Sequence, residues 1–247
     1  MYQKLRTIFF IIFLFSLNVY SQKTDSTKSP IQFSGNITVT NNGVSLIPTF
    51  SLGKPAVTFD LAVRGKKLSF EPLLLFATEK AKPWAFIFWV RYKLIQKEKF
   101  KFNIGVHPSY IFSSNTIIDN GIKKEVLTAT RYAVAEFVPS YAISKNTSLG
   151  LYYIAAKQIG VGSTKGTHFL ALNAVSNIKL SEQYFMRLMP QVYYLKLGDL
   201  TGFYSNATVV LAKKKLPISI NGMVSKSIKT DIEVNKFVWN AGITYSF

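Results

Sequence analysis

Two histidines and no cysteine restrict the chemistry open to this chain of 247 residues. Without Cys there is no disulfide framework, thiolate nucleophile or thiolate metal site. His107 and His168 alone do not make the multi-His set of a catalytic or structural zinc site, so no metal and no cofactor is expected. One arrangement invites an enzyme reading, His107-Pro108-Ser109. Residues two apart on a strand project to the same face. A His within reach of a Ser can take its proton and activate it for acyl transfer. His107 and Ser109 are therefore weak catalytic candidates, base and nucleophile. No orienting carboxylate lies nearby in sequence, although Glu136 could approach in space. The plainer reading is two polar residues on an interior face shared with Lys101 and Asn103.

A second set of residues is charged and sits in the middle of apolar-polar alternation: Asp60, Arg64, Glu71, Arg91, Lys93, Lys101, Glu136 and Arg187. On the inner wall of a channel such charges form a selectivity constriction. They can equally fill a narrow interior with ion pairs that need no transport role.

These residues must be positioned by strands. From Val57 to Arg64 one face reads Val57, Phe59, Leu61, Val63 and the other Thr58, Asp60, Ala62, Arg64. From Phe100 to Tyr110 the faces are Phe100, Phe102, Ile104, Val106, Pro108, Tyr110 and Lys101, Asn103, Gly105, His107, Ser109. This period of two marks strands, and it runs to the end of the chain with no convincing helical stretch. Turn-type clusters separate the segments. Asn42-Gly43 suits a tight hairpin, and Ser113 to Lys124 is the longest irregular piece. Thirteen segments begin near residues 31, 44, 56, 67, 85, 99, 126, 147, 167, 184, 203, 217 and 236.

Composition narrows the class. Hydrophobic residues are 48%, aromatics 15% and charged residues 17%, which excludes a disordered chain. The N-terminus carries Lys4 and Arg6, then an uncharged run from Ile8 to Leu17, then Val19-Tyr20-Ser21. That is a secretory signal over residues 1–21, too short in its apolar core to span a membrane as a helix. Residues 22–30 are a polar leader, and 31–247 are one domain. The formal charge of +18 becomes 28 − 12 = +16 once Lys4 and Arg6 are removed. Exported chains meet no nucleic acid, so this charge points to anionic solutes or lipid phosphates.

The ending, from Trp239 through Ala241, Ile243 and Tyr245 to Phe247, resembles the C-terminal signal of bacterial outer-membrane β-barrel proteins. The signal of that family has a terminal Phe and alternating apolar residues before it. The resemblance implies that the barrel-assembly machinery reads Trp239, Ile243, Tyr245 and Phe247. It also implies an all-β fold: a transmembrane antiparallel up-and-down barrel in the outer membrane, contacting lipid and lipopolysaccharide. Single-chain bacterial barrels have even strand numbers. Twelve strands are expected, with fourteen as the alternative. The least aromatic segment, Ile31 to Thr40, is the one expected not to span. Trp84 and Tyr245 are expected in aromatic girdles. Lipid A deacylases of the same membrane are similar at the His-x-Ser pair, so an outer-membrane lipid hydrolase is an alternative function. The first expectation is a narrow passive pore for small polar or anionic solutes, and a third is a sealed structural or anchoring barrel.

Overall fold

The computed structural model describes residues 31–119, 122–160 and 166–247. The signal and leader readings lie outside the described residues. Residues Ile31–Phe247 form one compact unit. Twelve strands close into a single antiparallel barrel in which each strand pairs with its sequence neighbours and the first pairs with the last. In order they are β1 Gln32–Thr40, β2 Ala56–Arg64, β3 Leu68–Ala77, β4 Pro83–Gln96, β5 Phe100–Asp119, β6 Ile122–Ala142, β7 Thr147–Ile159, β8 Thr167–Lys179, β9 Tyr184–Leu197, β10 Leu200–Lys213, β11 Ile218–Thr230 and β12 Phe237–Ser246.

Closure satisfies the backbone without an edge, which hydrocarbon demands. The closing seam pairs Asn36 with Ser246 and Thr40 with Gly242. Phe247 extends it by a reciprocal pair of backbone hydrogen bonds with Gly35, at 2.9 and 3.0 Å. Alternation then sorts the side chains. Phe33, Leu151, Leu172, Val192, Ile220, Trp239 and Ile243 stand exposed on the outer surface. In water so much contiguous apolar surface would drive association; against lipid it is the apolar band of a membrane barrel.

Twelve strands are present, but the segment that does not span is a different one. Ile31 to Thr40 supplies β1. Its outward residues Phe33, Ile37 and Val39 alternate with Ser34, Asn36 and Thr38, so low aromatic content misjudged it. The segment beginning near 44 is the one that leaves the wall. Asn42-Gly43 does not make a tight hairpin; residues 41–55 form a long loop with a 3-10 turn at Pro48–Phe50. Leu46 and Ile47 break the alternation, and both pack inward against the core. The cluster at Ser113 to Lys124 is not an irregular loop either. β5 and β6 stay paired from Phe100↔Tyr141 out to Asp119↔Ile122. Beyond the apolar band a ladder tolerates polar residues on both faces, so serines and asparagine there do not end it.

The two ends of the barrel differ. The short turns near 65–67, 97–99, 143–146, 180–183 and 214–217 share one end with Gln32 and Phe247. The opposite end carries the 41–55 loop, the 231–236 connection and the projecting β5–β6 hairpin. We refer to these as the turn end and the loop end.

Candidate functional site

The interior is built by one periodicity on twelve strands, so its chemistry is read by following inward positions around the wall. At mid-height on β4 the inward residues are Trp89 and Arg91. Arg91 lies opposite Gly105 on β5, and Gly105 lies opposite Glu136 on β6. Adjacent strands are about 4.8 Å apart, so Arg91 and Glu136 are separated by two ladder steps. Their side chains meet because Gly105 places nothing between them. A Cβ there would lie 2.7 Å from Glu136 Oε1 and 3.1 Å from Arg91 Cγ.

Arg91 Nε donates to Glu136 Oε1 at 2.6 Å and Nη2 to Oε2 at 3.4 Å, while Nη1 donates to Glu71 Oε2 at 2.6 Å. Glu71 also receives Arg64 Nε at 3.0 Å, and Arg64 Nη1 donates to Ser34 at 2.7 Å. The Tyr152 hydroxyl donates to Glu136 Oε2 at 2.8 Å. Glu136 is 2% exposed, and each of its oxygens has a donor. The guanidinium of Arg91 stacks 4.2 Å from the centre of the Trp89 ring. The chain Ser34–Arg64–Glu71–Arg91–Glu136–Tyr152 thus crosses the wall from β1 to β7. Desolvating these charges is offset by close pairing and complete hydrogen bonding.

Of the eight interior charges read from the sequence, four meet in this chain: Arg64, Glu71, Arg91 and Glu136. Asp60 stays beside it and accepts from Asn36 Nδ2 at 3.5 Å. Lys93, Lys101 and Arg187 face inward nearer the turn end, apart from the chain and exposed. Trp89, Tyr152 and Ser34 were missed as members. Nothing in one strand reveals a partner two strands away, although Gly105 inside a strand signals a close approach.

The two sides of the lumen are unlike. On β7, β8 and β9 the inward residues Ile154, Phe169, Ala171, Tyr193 and Leu195 are buried, and Tyr204 on β10 joins them. Tyr193 and Tyr204 stack at 4.9 Å between ring centres. The 41–55 loop brings Leu46 and Ile47 against this cluster, and the 231–236 connection brings Ile232 and Val234. From β10 round to β2 many of the inward residues are small and polar, with Val210, Met223 and Val238 among them. Asn206, Asn221, Asn240, Thr244, Thr38 and Asn36 remain partly exposed inside the barrel. They bond one another, with Asn221 Nδ2 donating to Thr244 Oγ1 at 2.8 Å and the Thr38 and Thr244 hydroxyls 2.8 Å apart.

The 41–55 loop stands between these two halves. Trp84 Nε1 donates to the Phe50 carbonyl at 2.7 Å, and the Phe50 ring lies 5.5 Å from that of Tyr132. Gly43 suits the place where the loop folds back, since a Cβ there would lie 3.0 Å from both Leu52 and Trp84 and press them apart. Trp84 is therefore not a girdle residue. The register slips between Leu75 and Phe76, which pair with Ala85 and Pro83, and Trp84 between them is buried with Ala56 and Ala85. On the β10–β12 side of the loop lies a cavity of about 590 Å³ with a mixed wall, Asn42, Ser225, Glu233 and Asn235 facing it together with Val44 and Val238. On the β4–β7 side lies an apolar cavity of about 290 Å³.

His107 and Ser109 are buried on the wall of that second cavity, facing the interior and not lipid. The His107 ring packs edge-on against Trp89 at 3.9 Å. Its Nδ1 has no hydrogen-bond partner. In a triad, a carboxylate would orient the ring through one imidazole nitrogen. Glu136 is committed to Arg91 and Tyr152. His168, by contrast, faces outward and bonds the Tyr153 hydroxyl at 2.8 Å.

No family model and no curated protein matches the sequence. Among solved structures the chain is similar to the KdgM porin, at 10% identity and a TM-score of 0.54, over 87% of this chain and 99% of that one. It is similar to the NanC porin at 10% identity and 0.51, over 87% and 99% of the two chains. An outer-membrane channel from Pseudomonas putida F1 matches at 8% identity and 0.51, over 91% and 99%. This is the closed fold of outer-membrane β-barrels.

Proposed function

We propose that the chain is a narrow passive pore of the outer membrane for small polar solutes, with a preference for anions. The observation that carries this reading is the division of the lumen. One half is packed, while the other keeps a largely polar, partly exposed wall from the 590 Å³ cavity at the loop end down to Asn36 and Thr244 near the turn end. A sealed barrel has no use for an unfilled polar half. The named interior charges number five bases, Arg64, Arg91, Lys93, Lys101 and Arg187, against three acids, Asp60, Glu71 and Glu136, leaving +2. A positive lumen raises the local concentration of anions. The proteins similar in fold include two porins, one of them solved in complex with oligogalacturonate, which agrees with a solute-passing role.

In this reading residues 1–21 direct export and are removed, the loop end faces outward, and the assembly machinery engages the strand ending at Phe247. Swelling of liposomes holding the mature protein tests the function. Small sugars and sugar acids should enter, the acids faster. Swelling no faster than that of empty liposomes would refute the pore.

A further inference from the structure

The outer surface is not the same all round at the loop end. On β6, β7, β8 and β9 the outward residues are uncharged from the turn end upward, and each run stops at a basic or imidazole side chain: Arg131, Lys157, His168 and Lys196. His168 stands directly opposite Lys196 in the ladder. Lys157 is one diagonal step from Arg131 on one side and from His168 on the other, and diagonal neighbours lie about 7–8 Å apart. The four side chains form one contiguous, exposed arc.

This arc has no carboxylate to answer it. β7, β8 and β9 contain no acidic residue, and β6 has only Glu136, which faces inward, and Glu125 near its far end, which Lys82 engages. Among the described residues Arg131, Lys157 and Lys196 enter no salt bridge. A general belt of bases snorkelling to the membrane surface would ring the barrel. Instead the same margin on β2 to β5 is aromatic, with the rings of Phe59, Phe76, Phe86 and Phe112 in succession 5.0 to 6.0 Å apart.

Below the arc, toward the turn end, the outer wall is hollow. Val106 and Pro108 of β5, Ala133 and Ala135 of β6 and Ala155 of β7 line a groove of about 640 Å³ that reaches Lys157 and His168. Cations at one end of an apolar groove suit a lipid, with its phosphate on the bases and its chain in the groove. From Arg131 to Lys196 the arc crosses three interstrand steps of about 4.8 Å, roughly 14 Å, which is more than one phosphate bridges.

We propose that β5 to β9 form a site for a glycolipid carrying two phosphates, the lipid A part of lipopolysaccharide, with one phosphate on Arg131 and Lys157, the other on His168 and Lys196, and an acyl chain in the groove. The inference rests on the outward-facing loop end of the reading above and not on conduction.

The test is native mass spectrometry of the refolded barrel in detergent micelles, with diphosphoryl lipid A, monophosphoryl lipid A and phosphatidylglycerol as probes. Diphosphoryl lipid A should be retained about tenfold more tightly than phosphatidylglycerol, with the monophosphoryl form between them. Lys157→Gln with Lys196→Gln should weaken diphosphoryl lipid A about tenfold. Ala133→Trp fills the groove, keeps every base and should also weaken it. Lys226→Gln with Lys229→Gln removes the same charge from outward positions of β11 and should leave binding unchanged. Thr116→Cys in this cysteine-free chain, labelled on intact cells with an impermeant maleimide, reports separately that the loop end faces outward. Lipid A retained by a barrel that conducts nothing would support the site while refuting the pore. Equal retention of phosphatidylglycerol, equal weakening by the β11 pair, or unchanged binding to Ala133→Trp would overturn the proposal, as would a folded Thr116→Cys barrel that stays unlabelled on cells.

Discussion

Replacing Arg91 by methionine removes the one cation that joins two acidic side chains. Met keeps much of the aliphatic volume over Trp89 but donates nothing. Glu136, 2% exposed, would retain only the Tyr152 hydroxyl at 2.8 Å, whereas Glu71 would retain Arg64 at 3.0 Å. Removing one partner of a buried pair costs about 3–5 kcal/mol. Because Glu71 stays paired and Glu136 keeps one donor, the loss should fall near the lower limit, about 3 kcal/mol. The assay is equilibrium urea unfolding in phospholipid vesicles, followed by tryptophan emission. Glu136→Gln in the Arg91→Met background discharges the stranded carboxylate, and should restore at least half of the loss. A loss under about 1 kcal/mol for Arg91→Met, typical of an exposed pair, would refute the reasoning. So would a double variant no more stable than the single one, because the cost is assigned to the uncompensated Glu136.

Three further outcomes are expected. Gly105→Val, whose Cβ would meet Glu136 Oε1 at 2.7 Å, should lower stability by about 1–3 kcal/mol, as overpacking does; the urea midpoint checks it. Replacing residues 44–52 by a short Gly-Ser linker should raise ion conductance several-fold, because the loop narrows the lumen at the loop end, and should lower the urea midpoint by removing Leu46 and Ile47 from the core. Arg187→Glu combined with Lys101→Glu changes two exposed inward charges outside the buried chain, and should move the reversal potential in a salt gradient toward cations.

The barrel was legible because lipid outside and a polar lumen inside impose the same period of two on every strand. Phe100 to Tyr110 shows both faces without ambiguity, and the run ending at Phe247 marks the closing strand. The errors share a cause: composition was used where pairing decides. β1 is poor in aromatics, yet its small polar inward residues suit the open half of the lumen. Val44 to Ile47 is apolar enough for a strand, but Leu46 and Ile47 are consecutive and Pro48 follows, which fits a loop folded into the interior. The register slip that turns Trp84 inward leaves no mark within either strand alone. The charged residues were individually legible as inward-facing. Their grouping was not, because Arg91 and Glu136 are 45 positions apart in sequence and meet only through the registers of β4, β5 and β6 over Gly105. His107 and Ser109 were legible as neighbours on one face. The cavity they line was not, since half of its wall belongs to the 41–55 loop.

The central claim is that the polar half of the lumen is a continuous path. Single-channel recording of the refolded chain from residue 22 to residue 247 in a planar bilayer under a salt gradient tests it most directly. Discrete conductance steps with an anion-biased reversal potential are the expected result. A barrel shown to be folded by its heat-shifted gel mobility, yet silent at every voltage, would contradict the account and mark the lumen as closed.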